Sequence, residues 1–182
     1  MRMRPGGSDR RRLLAGLGLI ALIVGTVKLA EVTHGAATPG QPPVLPAGVA
    51  QPCTPGDQDP YVYRPERLQL LLPCLRVTGT VTYVHTEDDG DVHLRLRLDP
   101  PFDGLLVEGN KATSGDLVIE PVCFAIPLHA DALRLCAADP DRLPSVPGLG
   151  DHVWMEGRYV LDIGHTAWAE LHPLYRWGPA TR

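Results

Sequence analysis

From Leu75 onward the chain alternates apolar and polar positions with the period of a β-strand. Leu75, Val77, Val81 and Tyr83 share one parity and Arg76, Thr78, Thr80 and Thr82 the other, in a stretch rich in β-branched residues. A second run is cleaner. Val92, Leu94, Leu96 and Leu98 face inward, while Asp91, His93, Arg95 and Arg97 face outward. Glu87-Asp88-Asp89-Gly90 lies between the two runs, and an Asp-Gly pair in that position signals a hairpin. A third strand is expected near Leu117 to Glu120. His129 to Cys136 reads as a short helix with Ala132, Leu133 and Cys136 on one stripe. After the turn-rich stretch Pro140 to Gly150, a strand over His152 to Leu161 turns Val153, Met155, Tyr159 and Leu161 inward. A last strand follows from Ala167 to Tyr175. Three strands, a short helix and two more strands is the order of a five-stranded OB-like barrel. The expected fold is therefore mainly β, with a β-sandwich as the alternative.

The N-terminal pattern is different. Arg10, Arg11 and Arg12 precede an uncharged apolar run, Leu13 to Val27, followed by Lys28, Leu29 and Ala30. Fifteen helical residues reach ~22 Å against a ~30 Å bilayer core, so a span must include Lys28 to Ala30 with the lysine snorkelling. A basic flank stays in the cytoplasm and sends the following chain outward. Residues 1–12 are thus expected as a basic cytoplasmic segment and 13–30 as a signal-anchor, or transmembrane, helix. A signal peptide cleaved at Gly35-Ala36-Ala37, which would release a secreted protein, is the alternative. Arg10-Arg11-Arg12-Leu13-Leu14 also loosely fits a twin-arginine export signal, although an ordinary basic flank is the favoured reading. Residues 31–52 form an expected proline-rich stalk, with Pro39, Pro42, Pro43, Pro46 and Pro52 keeping it extended. Residues 53–178 make the extracytoplasmic domain.

Composition narrows the function classes. Glycine and proline, 19 of each in 182 residues, disfavour long helices. From Thr38 onward 11 basic residues face 19 acidic ones, a net charge of −8, which disfavours contact with a nucleic-acid backbone. All four cysteines lie beyond the apolar run. In an exported domain they read as two disulfides, for which three pairings exist. Proximity in sequence favours Cys53–Cys74 and Cys123–Cys136. A zinc site built from the four cysteines lacks the short spacing that such sites use.

The candidate chemistry centres on His165, Glu170 and His172, with Asp91 and His93 from the second strand. Glu170 and His172 stand two apart in an extended segment, so both point away from the side that Leu171 takes. Histidine and carboxylate on one face form a ligand set that a divalent metal accepts. The structural alternative has Glu170 paired with Arg95 or Arg97 across the sheet and His172 tying down the strand end before Pro173. The structural role is the expectation: one polar cluster on the barrel surface, with the first strand neighbouring the last, and no metal, cofactor or catalytic residue. Glu87 to Asp91 is read as a solvated turn without the alternation of a calcium loop. His85, His129 and His152 are read as isolated surface residues. Ser8, Ser114 and Ser145 lack a nucleophile signature, and no glycine-rich phosphate loop is present. Trp168, Tyr175 and Trp177, if exposed, would make a platform suited to a sugar or peptide.

The words Arg67-Leu68…Pro73-Cys74, Val77-Thr78-Gly79-Thr80-Val81, Asp89-Gly90-Asp91-Val92-His93, Tyr159-Val160-Leu161-Asp162 and Glu170-Leu171-His172-Pro173 occur in that order. In them the chain resembles a family of exported, OB-like bacterial proteins of unknown function. That family carries a "DGD-x-H" hairpin and a C-terminal "His-Gly-Trp-x-Glu-Ile-His-Pro" strand. The resemblance covers roughly Cys53 to Trp177 and implies an exported OB-like domain, but no activity. His165-Thr166-Ala167-Trp168 is one residue longer than the family's His-Gly-Trp.

Three functions follow as expectations. The first is a non-catalytic, membrane-tethered module that binds an envelope or extracellular ligand. The second is a metal-dependent hydrolase using the His/Glu group. The third, a nucleic-acid binder, is opposed by the acidic balance.

Overall fold

The computed structural model describes residues 53–140 and 142–181. The cytoplasmic segment, signal-anchor helix and stalk expected over 1–52 lie outside the described residues. Among the described residues, no helix is long and apolar enough to cross a membrane.

The chain forms a five-stranded mixed sheet closed into a barrel, with a few short helices. Its strands are β1 (Leu68–Thr86), β2 (Val92–Leu98), β3 (Leu117–Ile119), β4 (His152–Asp162) and β5 (Trp168–Pro179). Around the barrel the order is β1-β2-β3-β5-β4. All pairings are antiparallel except β3 with β5. The expected adjacency of first and last strands is therefore corrected, since β1 pairs with β2 and β4 while β3 and β4 flank β5. Among the described residues one short α-helix, α1 (Ala130–Cys136), follows β3, and the other short helices are 3-10 turns.

β1 begins seven residues before the alternation that announces it, because register shifts at Leu70/Leu72 and Leu72/Leu75 scramble the period-two pattern over Leu70 to Pro73. Its first part pairs with β4 and its last with β2, and Gly79 and Thr80 pair with both neighbours. At this crossover the strands approach so closely that a Cβ on Gly79 would lie 2.4 Å from the Arg97 carbonyl oxygen. Another register shift, between Val81 and Tyr83, reverses the parity of the strand. Tyr83 is consequently exposed rather than inward.

Inside, Leu75, Val77, Val81, Val92, Leu94, Leu96, Leu117, Ile119, Val153, Met155, Tyr159 and Leu171 form one apolar cluster. Each fully buried aliphatic side chain of this set contributes roughly 1.5–3 kcal/mol. Besides Tyr83, two expected inward residues are otherwise placed. Leu133 of α1 is exposed, whereas Ala132 and Cys136 of the same helix are buried. In β4, register shifts on either side of Gly157 leave Leu161 half-buried and turn Asp162 inward.

The disulfides are Cys53–Cys74 and Cys123–Cys136, the pairing that sequence proximity favours. The second ties α1 to the segment that follows β3. That segment lies against the β1–β2 hairpin, with Ala125 N–H donating to the Gly90 carbonyl at 2.8 Å, Leu128 N–H to the Asp88 carbonyl at 2.7 Å and Val92 N–H to the Pro121 carbonyl at 3.0 Å. It covers the start of β2.

Candidate functional site

Barrel order brings the candidate residues together. β3 lies between β2 and β5, pairing Leu94 with Ile119 and Ile119 with Leu171. The residue after Ile119 is Glu120, and it is fixed at both ends of its peptide unit. Its N–H donates to the Leu171 carbonyl and its carbonyl accepts from Leu174 N–H, each at 2.9 Å. Its carboxylate thereby reaches His93 of β2 on one side and His172 of β5 on the other.

The contacts are direct. His172 Nδ1 lies 2.7 Å from Glu120 Oε2 and 3.1 Å from Glu170 Oε1. His93 Nδ1 lies 3.2 Å from Glu120 Oε1. Arg67, just before β1, stands 3.5 Å from Glu120 and 3.9 Å from Glu170, and it donates a hydrogen bond to Asp162 at the end of β4. Trp168 Nε1 donates to Glu170 Oε2 at 2.6 Å. Asp91 Oδ1 accepts from Cys123 N–H at 2.8 Å, an amide presented by a left-handed backbone at Cys123 (φ 54°). Asp91 Oδ2 faces His172 Nε2 at 3.7 Å, beyond hydrogen-bond range.

Asp91, His93, Glu170 and His172 thus form one cluster, as expected from strand parity, but it is not on the barrel surface. Glu170 and His172 are fully buried, and Asp91 and His93 retain 2% and 8% exposure. Two features cover the outward face. The segment held by Cys123–Cys136 overlies Asp91, while Arg67 and Trp168 close over Glu170. The expected pairing of Glu170 with Arg95 or Arg97 is absent, and Arg95 instead packs 4.5 Å over the Tyr83 ring. His165 is exposed; it reaches Asp162 Oδ2 at 2.8 Å through Nδ1 and stacks on Trp168 with ring centroids 4.4 Å apart.

Burial and charge act against each other here. Burial pushes the Asp91 carboxyl up to about 8, against the opposing pull of His172. Burial alone would lower His172, but the Glu120 charge and hydrogen bonds to Glu120 and Glu170 raise it to about 10. Glu120 is likewise penalised by burial, yet His172, His93 and Arg67 hold it well below the usual carboxylate range. Within this cluster three buried side-chain atoms have no hydrogen-bond partner: Asp91 Oδ2, His93 Nε2 and His172 Nε2. An unmet buried polar group costs about 1–3 kcal/mol, so the cluster concentrates a stability cost at one place in the fold.

Asp91, His93, Glu120 and Arg67 also line a cleft of about 620 Å³. Its other walls include the aromatic rings of Tyr63, Tyr83 and Trp168, the acidic side chains of Glu66, Glu87 and Asp88, and Arg64 and Arg95. The aromatic platform expected from Trp168, Tyr175 and Trp177 does not form. Tyr175 is buried, with its hydroxyl 2.6 Å from Asp59 Oδ1, and Trp177 donates to the Ser145 carbonyl at 2.8 Å. Nor is His152 isolated, since its Nε2 lies 3.0 Å from Asp99 Oδ2. His85 and His129 are exposed as expected, the latter stacked at 6.2 Å on Tyr63.

Three cluster members were not singled out by residue pattern. Arg67 and Asp162 stand inside the words Arg67-Leu68 and Tyr159-Val160-Leu161-Asp162, but nothing local assigns them a role. Glu120 has no sequence signal at all, because a three-residue strand shows no periodicity. No protein-family model and no curated protein matches the chain.

Proposed function

We propose that this protein is an extracytoplasmic binding module: an OB-like barrel, tethered to the membrane by its N-terminal helix, that takes a peptide or glycan ligand in the cleft without transforming it. The observation that carries this reading is the cleft itself, which is lined by three aromatic rings together with charged side chains. Aromatic faces provide stacking area for a sugar ring or a peptide side chain, and a few fixed polar groups provide orientation. The acidic rim at Glu66, Glu87 and Asp88 suits a ligand with a positive group and opposes a phosphate backbone.

Other observations support the setting. Two disulfides fit an oxidising compartment outside the cytoplasm. The arginines before Leu13 support an anchor with the domain outside. The barrel order β1-β2-β3-β5-β4 supports the OB-like description, as do the sequence words shared with the exported family.

The test uses the full chain in detergent, titrated with envelope oligosaccharides and with a short basic peptide. Saturable binding to one of them should weaken about tenfold in Trp168→Ala or Tyr83→Ala and be unaffected by Trp154→Ala. Binding that ignores both cleft substitutions, or salt-sensitive binding of an oligonucleotide, would overturn the reading.

A further inference from the structure

We propose that Asp91, Glu120 and His172 form a site for one divalent transition-metal ion of the zinc or manganese kind. This goes beyond the binding-module reading and stands whether or not the cleft takes a second ligand. Each of the three residues offers a ligand atom, and these atoms all lie within 4.8 Å of one another. An ion held at ~2.1 Å by each ligand needs those atoms about 3 to 4 Å apart. Asp91 Oδ2 and His172 Nε2, at 3.7 Å, already have that spacing.

The second observation is independent of the clustering. Those same two atoms are enclosed and lack a hydrogen-bond partner, although the other polar atom of each side chain is held. Asp91 Oδ1 accepts from the Cys123 amide, and His172 Nδ1 faces the carboxylates of Glu120 and Glu170. A carboxylate on Nδ1–H is the arrangement that orients a metal-binding imidazole, and the incoming ion displaces the Nε2 proton of the imidazolium to solvent and takes the lone pair it leaves. Two carboxylates compete for the Nδ1 proton. Glu170, itself fixed by Trp168 at 2.6 Å, can keep it when Glu120 turns an oxygen to the ion.

Charge and access agree. Asp91, Glu120, Glu170 and Asp162 supply four carboxyl groups within the cluster, where Arg67 is the one guanidinium. One imidazole nitrogen and two carboxylate oxygens suit zinc or manganese, whereas calcium takes six to eight oxygens. Asp91 and Glu120 line the cleft, which provides an entry route.

The test is calorimetric titration of the chelator-treated full chain with zinc chloride and, separately, manganese chloride. We expect one ion per chain at micromolar affinity or tighter, weakened at least thirtyfold in Asp91→Asn. That isostere keeps an oxygen for the Cys123 amide, so the fold should persist. A second measurement needs no variant: anomalous diffraction from zinc-soaked crystals of the wild type should place the ion within bonding distance of His172 Nε2. Absence of binding would overturn the proposal. So would full retention of binding by Asp91→Asn, or an ion located only on exposed His85, His129 or His165. Zinc binding without any cleft ligand would defeat the binding-module reading and leave the metal site intact.

Discussion

Two buried ion-pair networks of the same barrel, one on each side, are built to opposite rules. On the β1/β4/β5 side, Glu156 is 5% exposed and each of its oxygens has its own guanidinium. Oε1 accepts from Arg76 Nε at 2.8 Å and Oε2 from Arg176 Nε at 2.9 Å. Arg76 also lies 4.5 Å over the Trp154 ring. Cations match or exceed anions and the acceptors are met, so this network clamps three strands. On the β2/β3/β5 side, carboxylates outnumber cations, burial is deeper, and buried polar atoms remain unmet. A saturated ion-pair network has nothing left to offer a ligand. An unsaturated one keeps donors or acceptors in reserve, at a cost that the rest of the fold must offset.

The comparison breaks most readily at His172. Its imidazolium compensates Glu120 and Glu170, so His172→Ala strands buried negative charge and should destabilise the fold by about 3–5 kcal/mol. Urea titration checks this, and a loss below about 1 kcal/mol would show that the cluster is not electrostatically interdependent.

The next effect concerns the cover. Cys123–Cys136 spans 13 residues, and replacing both cysteines by serine should cost ~3 kcal/mol through the freed chain entropy. It should also loosen the Cys123 amide from Asp91, seen as faster exchange of that amide than of Ala169 N–H, which donates to buried Asn110. Equal protection at the two sites would show that the cover stands without its disulfide.

On the saturated side the expectation is smaller. Glu156→Gln keeps the shape but loses the charge, and its arginine partners are 38% and 44% exposed. A cost of about 1 kcal/mol, shrinking in high salt, is expected from solvent-screened pairs. A loss as large as that of His172→Ala would erase the distinction.

The smallest effect is a pH limb. Asp99 is raised by partial burial, but hydrogen bonds from Thr78 and His152 and the His152 charge outweigh this and lower it. A carboxyl lowered by folding stabilises above its unfolded pKa of ~3.9, and that stability is lost as pH falls through the folded value. His152→Gln should flatten this acid limb of the urea midpoint and leave neutral-pH behaviour nearly unchanged. An acid limb as steep as the wild type's would remove His152 from the account.

The sequence by itself determined much of the sheet. Alternation over Val92 to Leu98 and the Asp89-Gly90 turn placed β2 and its hairpin, because a barrel strand with one apolar face must show period two. Parity also put Asp91 with His93, and Glu170 with His172. It failed where register shifts reversed it, at Tyr83 and Leu161, since a bulge costs one residue and leaves no compositional mark. Only the tertiary structure decided that the outward face of β2 and β5 is enclosed, because most of its cover comes from the segment after β3 and from Arg67, both distant in sequence, with Trp168 at the start of β5 adding to it. Likewise, only the barrel order decided that Glu120 stands between two histidines. A carboxylate's partners across a sheet depend on which strands are neighbours, and no local pattern around Glu120 encodes that.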